Sequence, residues 1–299
     1  QNIIQITNYN DIQIFPNKST YTAITIFGKE KQNIFKYQHA INHHHFTEHI
    51  FSIQNFHSSK RWNFHDLISN NLKKLPEPQT LKLSDIAEIH VGLTTLCDKF
   101  YILEKIKETN EQVWEMHSKL AGNILIEKNI LKPILKASRP KQWNYKKQYI
   151  IFPYHLIQNK YSILSENEMK ENFPLAYQYF IRFKDILLQR DKGKINPVGW
   201  YAFGRHQGLQ TSFGEKILFS NMMKEPQFIY IQNPDFTFYS GYCIKLKTTL
   251  ISYEQLLKQL NSERMKEFVA HQSRSFRNGW KAYNKKVIED FKIYLPENI

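Results

Sequence analysis

Two helix-start signatures set among short apolar segments of period two confine this chain to a mixed architecture. Ser165-Glu166-Asn167-Glu168 and Ser252-Tyr253-Glu254-Gln255 each place a serine three residues before a Glu or Gln, so side chain and backbone can satisfy each other's free groups at a helix N-terminus. Beyond Pro174, the residues Leu175, Tyr179, Phe183, Ile186 and Leu187 fall on one helical face and carry the first helix to about Arg190. Leu256, Leu257, Leu260 and Phe268 extend the second in the same way. Strand patterns recur at Gln148 to Phe152, Lys216 to Ser220, Phe228 to Gln232 and Tyr242 to Leu246, and Phe100-Tyr101-Ile102-Leu103 reads as a strand after a loop at Gly92. Strands and helices follow no regular βαβ rhythm. The expectation is an α+β fold with mixed, largely antiparallel sheets.

The β segments also set the boundaries. Ile3, Ile4 and Ile6, then Tyr21 to Phe27 and Ile34 to Tyr37, with a turn at Phe15-Pro16-Asn17, read as a strand and hairpin over residues 1–40. So few strands are marginal alone and are expected to complete a sheet supplied elsewhere or to lean on the residues C-terminal to them. Residues 41–80 are polar and read as a linker with a short helix near Trp62 to Lys74 and a stiff Pro76-Glu77-Pro78. Residues 81–299 form the main unit.

With 41% hydrophobic and 14% aromatic residues, the 299-residue chain can bury a sizeable core. No stretch reaches the roughly 18 apolar residues of a membrane span, and Gln1-Asn2-Ile3-Ile4 is neither a signal peptide nor an initiator start, so a soluble piece of a longer protein is expected. Cys97 and Cys243 have no metal or disulfide spacing, which suits a reducing, cytoplasmic setting. Neither GxGxxG nor GxxxxGK[ST] occurs, so no cofactor site is expected on this chain. His39, His43, His44, His45, His49 and His57 lack paired carboxylates or thiols and read as a solvated tract rather than a metal site. No catalytic residue stands out.

Charge points to the partner. Lys+Arg 41 against Asp+Glu 27 gives +14, which favours a polyanion. The segment Trp200-Tyr201-Ala202-Phe203-Gly204-Arg205-His206-Gln207-Gly208-Leu209 then supplies groups that can read one. A guanidinium forks onto guanine O6/N7 and an amide onto adenine N6/N7, so Arg205 and Gln207, with His206 between them, are the candidate base readers. Trp200, Tyr201, Phe203 and Gly204 read as the scaffold of that loop. Arg139, Lys141, Lys146, Arg274, Arg277 and Lys281 are interleaved with aromatics and suit phosphates. Arg190, Lys192 and Lys194 lead into the reader segment as a further basic run.

In this setting the chain resembles the TaqI-like C-terminal specificity domain of adenine-specific DNA methyltransferases, including restriction-modification enzymes that fuse cutting and methylation. The likeness lies in ordered blocks: Ile89-His90-Val91-Gly92-Leu93-Thr94-Thr95 with Asp98 to Ile102, Leu131 to Lys136, Tyr149 to Tyr154, Trp200 to Gln207, Gly214 to Ile217, Leu260-Asn261-Ser262, and Ile293 to Pro296. Residues 1–40 look like the last strands of the catalytic domain of such an enzyme. The resemblance implies double-stranded DNA as partner, together with a catalytic domain of the same parent chain. That domain would hold S-adenosylmethionine and an Asn-Pro-Pro-Tyr loop, for which Asn233-Pro234-Asp235-Phe236 is an ordinary turn and no substitute. It also implies no methyl transfer by this chain alone. Two other roles stay open from the residues themselves: a separate specificity or interaction subunit, and a nuclease-associated DNA-binding domain.

Overall fold

The computed structural model describes residues 2–18, 20–56, 62, 64, 80–140, 147–273 and 275–296. The chain folds as α+β, with largely antiparallel sheets and short helices, in two compact units. One comprises residues 1–80, 222–225 and 263–283; the other comprises residues 81–221, 226–262 and 284–299. Among the described residues no helix is long and apolar enough to cross a membrane.

The first unit is built on a four-stranded sheet in the order Ala23–Phe27, Ile3–Asn8, Ile34–Ala40, Phe46–Ser52. The strand Phe46–Ser52 corrects the reading of residues 41–80 as linker. It runs antiparallel to Ile34–Ala40 from Ala40↔Phe46 to Ile34↔Ser52. The hairpin closes through Asn42, whose Oδ1 accepts from the His44 and His45 N–H groups at 2.9 Å each. Thr47, Glu48 and His49 hide this strand in the sequence because its apolar positions, Phe46, Ile50 and Phe51, do not alternate cleanly. On one face Phe35, Tyr37 and Phe51 are buried with Phe56, and Phe64 stacks on Tyr37 at 4.1 Å. The other face carries a polar network in which Gln38 bonds Gln5, Thr7 and Glu48. Most of the helix expected at Trp62 to Lys74 lies outside the described residues.

The main unit does not run unbroken to residue 299, because residues 222–225 and 263–283 group with the first unit. One cause is local. The Asn261 amide bonds both the N–H (2.8 Å) and the carbonyl (2.9 Å) of Phe228, which ends the helix Tyr253–Leu260 and separates it from Glu263–Gln272. The helix begun at Ser165 is likewise divided. Its capping box forms, with Glu168 N–H donating to Ser165 Oγ at 3.2 Å and Ser165 N–H donating to Glu168 at 2.7 Å. It stops at Asn172 because Phe173, preceding Pro174, is pushed out of helical geometry (φ −138°, ψ 56°). Pro174–Arg182 and Lys184–Leu188 follow as separate helices.

Two sheets frame the second unit. A six-stranded sheet runs in the order Thr237–Tyr239, Leu131–Lys136, Gln148–Ile151, Ile102–Glu108, Val113–Ser118, Gly122–Glu127. A four-stranded antiparallel sheet runs Ile229–Ile231, Lys216–Phe219, Tyr242–Leu246, Ala87–Val91. Phe100 and Tyr101, expected in a strand, close a helical turn at Asp98–Tyr101. The turn is set by Thr95, whose hydroxyl donates to Asp98 at 2.6 Å and accepts from Cys97 N–H at 3.0 Å. Both rings are thereby buried against Tyr179, Phe180 and Phe203.

The second sheet contains a buried cation. Lys216 has no exposed surface, donates to the Gly214 carbonyl, and is pushed from 10.5 down to about 8 by burial. The unfolded chain keeps this proton up to 10.5 while the folded chain releases it near 8, so unfolding takes up a proton in between and stability rises with pH across that window. Cys243 acts in the opposite sense above pH 9, since burial raises its thiol to about 11. The lysine is therefore isolated by comparison with Lys216→Met. The stability difference between the two proteins is expected to shift in favour of the wild type by about 2 kcal/mol from pH 8 to pH 10, measured by urea unfolding. A difference that stays flat would mean the lysine keeps its ordinary titration.

Candidate nucleic-acid interface

After the strand Ala87–Val91 the chain passes from one sheet to the other and then pins the loop that carries Arg205. Leu93 N–H donates to Phe238 O at 2.8 Å, which ties it to the edge of the six-stranded sheet. Next, Thr94 O accepts from Arg205 N–H and Thr95 O from Gly204 N–H, both at 3.1 Å. The backbone beneath Arg205 is thus fixed by a short antiparallel bridge.

The aromatic residues around it serve as anchors. Tyr201 and Phe203 are buried, with the Tyr201 hydroxyl donating to Leu164 O and Phe203 N–H donating to the Tyr154 hydroxyl at 2.6 Å. Trp200 is half-buried; its Nε1–H donates to Glu166 at 2.9 Å and Lys184 lies over its ring at 4.8 Å. A Cβ on Gly204 would run into the Leu96 side chain. Leu96 itself is held at φ 57°, a left-handed conformation that costs a leucine energy and persists because its neighbours fix it.

Arg190 holds this loop from below. Its Nε–H donates to Leu187 O (2.9 Å), Nη1 to Thr95 O (3.0 Å) and Ala202 O (2.9 Å), and Nη2 to Trp200 O (2.8 Å). Nη1 also reaches the Tyr101 hydroxyl at 3.3 Å, and that hydroxyl donates to Tyr201 O at 3.0 Å. The guanidinium that reads in sequence as part of a basic run is therefore committed to main-chain carbonyls. A planar fork is the only cationic side chain that reaches so many at once.

Arg205, His206 and Gln207 are all exposed. Arg205 is paired with Asp191, Nη1 to Oδ2 at 3.0 Å and Nη2 to Oδ1 at 3.2 Å, and Nη1 also donates to its neighbour's carbonyl at Gly204, 2.9 Å. Asp191 belongs to three successive left-handed residues, Asp191, Lys192 and Gly193 (φ 50°, 61° and 78°). Hydrogen bonding from Arg205, above all, holds its carboxyl below the usual aspartate range. Beside the pair opens a cavity of about 590 Å³ lined by Leu96, Leu188, Lys194, Ile195, Asn196 and Trp200 among others. Sequence reasoning missed both Asp191 and the structural use of Arg190. The one available signal was their adjacency to Gly193, which marks a tight turn.

The remaining sequence-predicted residues are distributed differently. Arg139 is exposed in the second unit, its N–H donating to Lys136 O at 2.9 Å. Lys281 lies in the first unit, on the strand Trp280–Ala282 paired through Met223. Lys141, Lys146 and Arg274 lie outside the described residues, as does the side chain of Arg277. Asn233-Pro234-Asp235 forms a turn in which Asn233 Oδ1 accepts from Asp235 N–H at 2.9 Å.

No family model matches the chain. Over 230 residues, 69% of its length, it is 22% identical to the type II restriction enzyme and methyltransferase RM.Eco57I of Escherichia coli, and it spans 22% of that protein. Its fold is similar to that of the Type IIL restriction-modification enzyme MmeI, solved in complex with DNA. The TM-score is 0.50 at 7% identity, covering 97% of this chain and 35% of the MmeI chain.

Proposed function

We propose that this chain is the duplex-DNA recognition module of a restriction-modification enzyme, of the TaqI-like specificity type, and that it presents a target adenine to a methyltransferase domain of the same parent protein. The observation that carries the reading is the loop itself: Arg205, His206 and Gln207 project from a backbone pinned to Thr94 and Thr95, on a chain of net charge +14. A positioned guanidinium and amide supply base discrimination, while surplus lysine and arginine supply salt-dependent affinity for phosphates. The similarity to two restriction-modification enzymes supports the same class. In this reading S-adenosylmethionine binds the parent's catalytic domain, the target adenine is extruded into that domain at a cost of a few kcal/mol, and the protein works in the cytoplasm. The first unit leaves Ile24, Phe27 and Ile50 exposed (48%, 66% and 71%), apolar surface suited to packing against such a domain.

Selection from random-sequence duplexes tests the proposal. The wild-type chain is expected to enrich one motif, with affinity falling steeply as salt rises. Arg205→Ala is expected to weaken binding to that motif about 10- to 100-fold while leaving affinity for unrelated duplexes nearly unchanged, as measured by fluorescence anisotropy. Absence of any enriched motif would overturn the recognition role.

A further inference from the structure

The Arg205–Asp191 pair has an asymmetry that bears on which base is read. A guanidinium offers two bidentate edges: the end-on edge between Nη1 and Nη2, and the side-on edge between Nε and Nη2. Asp191 occupies the end-on edge with both oxygens, and Gly204 O takes the second Nη1 proton. Nε–H and the outer Nη2–H remain, on a side chain that is 45% exposed. That edge has the spacing that matches two adjacent acceptors, and in the major groove only guanine presents two, O6 and N7, on one base.

Building on the recognition role proposed for this loop, we infer that Asp191 is a positioning residue which locks Arg205 into side-on reading of a single guanine within the target site. An unpaired arginine at this exposure would sample many rotamers and would offer either edge to guanine, phosphate or solvent. Fixing it beforehand removes that entropy cost from binding and withdraws the end-on edge from competing phosphates. The backbone supports the assignment. Asp191, Lys192 and Gly193 run left-handed in succession, a conformation that carries a cost for the two non-glycine residues, and it brings the carboxylate across 14 positions of sequence to its arginine. Ordinary turns need no such run.

The test uses the full chain and the enriched duplex, scanned by base substitution at every position. Asp191→Ala and Arg205→Ala are expected to lose discrimination at the same single G·C pair, about 5- to 10-fold for the aspartate variant and about 10- to 100-fold for the arginine variant. The double variant should be no worse than Arg205→Ala. Replacing that guanine by 7-deazaguanine, which removes the N7 acceptor, is expected to weaken wild-type binding and to leave Arg205→Ala unmoved. Asp191→Glu, which keeps the carboxylate, is expected to recover part of the loss. General damage to the loop would instead weaken discrimination at every position of the motif. That pattern, tighter binding by Asp191→Ala, or unchanged discrimination in it, would each overturn the inference. If the wild type enriches no motif at all, the recognition role fails first; if it enriches one and Asp191→Ala reads it unchanged, only the positioning role falls.

Discussion

Gly208→Ala is expected to destabilise the second unit by about 4 kcal/mol, among the largest losses any single substitution in this chain should cause. Two causes add. Gly208 sits at φ +78°, where any Cβ is strained, and the atom added there would lie 2.6 Å from the carbonyl carbon and oxygen of Gly92 and 2.7 Å from Val91 O. Side chains can rotate away from such a contact, but these are main-chain atoms. The Val91 and Gly92 backbone is held in turn by Tyr242↔Val91 pairing and by Gly92 N–H donating to Gly241 O. Relief therefore means separating the loop that carries Arg205 from the point where the chain crosses between sheets. Urea unfolding followed by far-UV circular dichroism should show the loss, and sequence-specific DNA binding should fall with it. A cost below about 1 kcal/mol would show that the loop shifts freely.

Arg190→Met is expected to cost about 3 to 4 kcal/mol. The methionine keeps the aliphatic stem but removes the guanidinium's bonds to the carbonyls of Thr95, Leu187, Trp200 and Ala202. Each bond lost from the charged guanidinium costs roughly 1.5 to 3 kcal/mol, less whatever is recovered by water and by the donors that remain, such as Gly204 N–H on Thr95 O. Arg190→Lys should regain less than half, because one ammonium cannot span acceptors arranged around a planar fork. Because Trp200 and Ala202 carry the loop that ends in Arg205, both variants should also lose base discrimination, whereas Lys192→Met and Lys194→Met, which alter exposed cations, should keep their stability and weaken all duplexes alike. Equal stability of Arg190→Met and wild type would mean water replaces the guanidinium.

The parts of the fold legible in the sequence are those whose causes lie within a few residues. Ser165 and Ser252 cap helices as their spacing indicates, because cap donor and acceptor are three residues apart. Tyr242–Leu246 forms the strand its pattern indicates. Errors fell where a longer contact overrode a local signal: Asn261 ending a helix by bonding Phe228, Thr95 turning Phe100 and Tyr101 into a helical turn, and the Ala40↔Phe46 pairing that makes a strand of a polar stretch.

The site divides along the same line. Composition and residue type determined that the chain is basic and that Arg205 and Gln207 have the chemistry to read bases, and local spacing determined that its class is α+β. Only the tertiary structure decided which arginine is available to do so. Arg190 and Arg205 are the same residue type in neighbouring segments, yet one is enclosed by carbonyls from Thr95, Leu187, Trp200 and Ala202 and the other is exposed against Asp191. Charge and identity are properties of the residue, whereas the number of hydrogen-bond donors a guanidinium has left depends on which segments the fold closes around it.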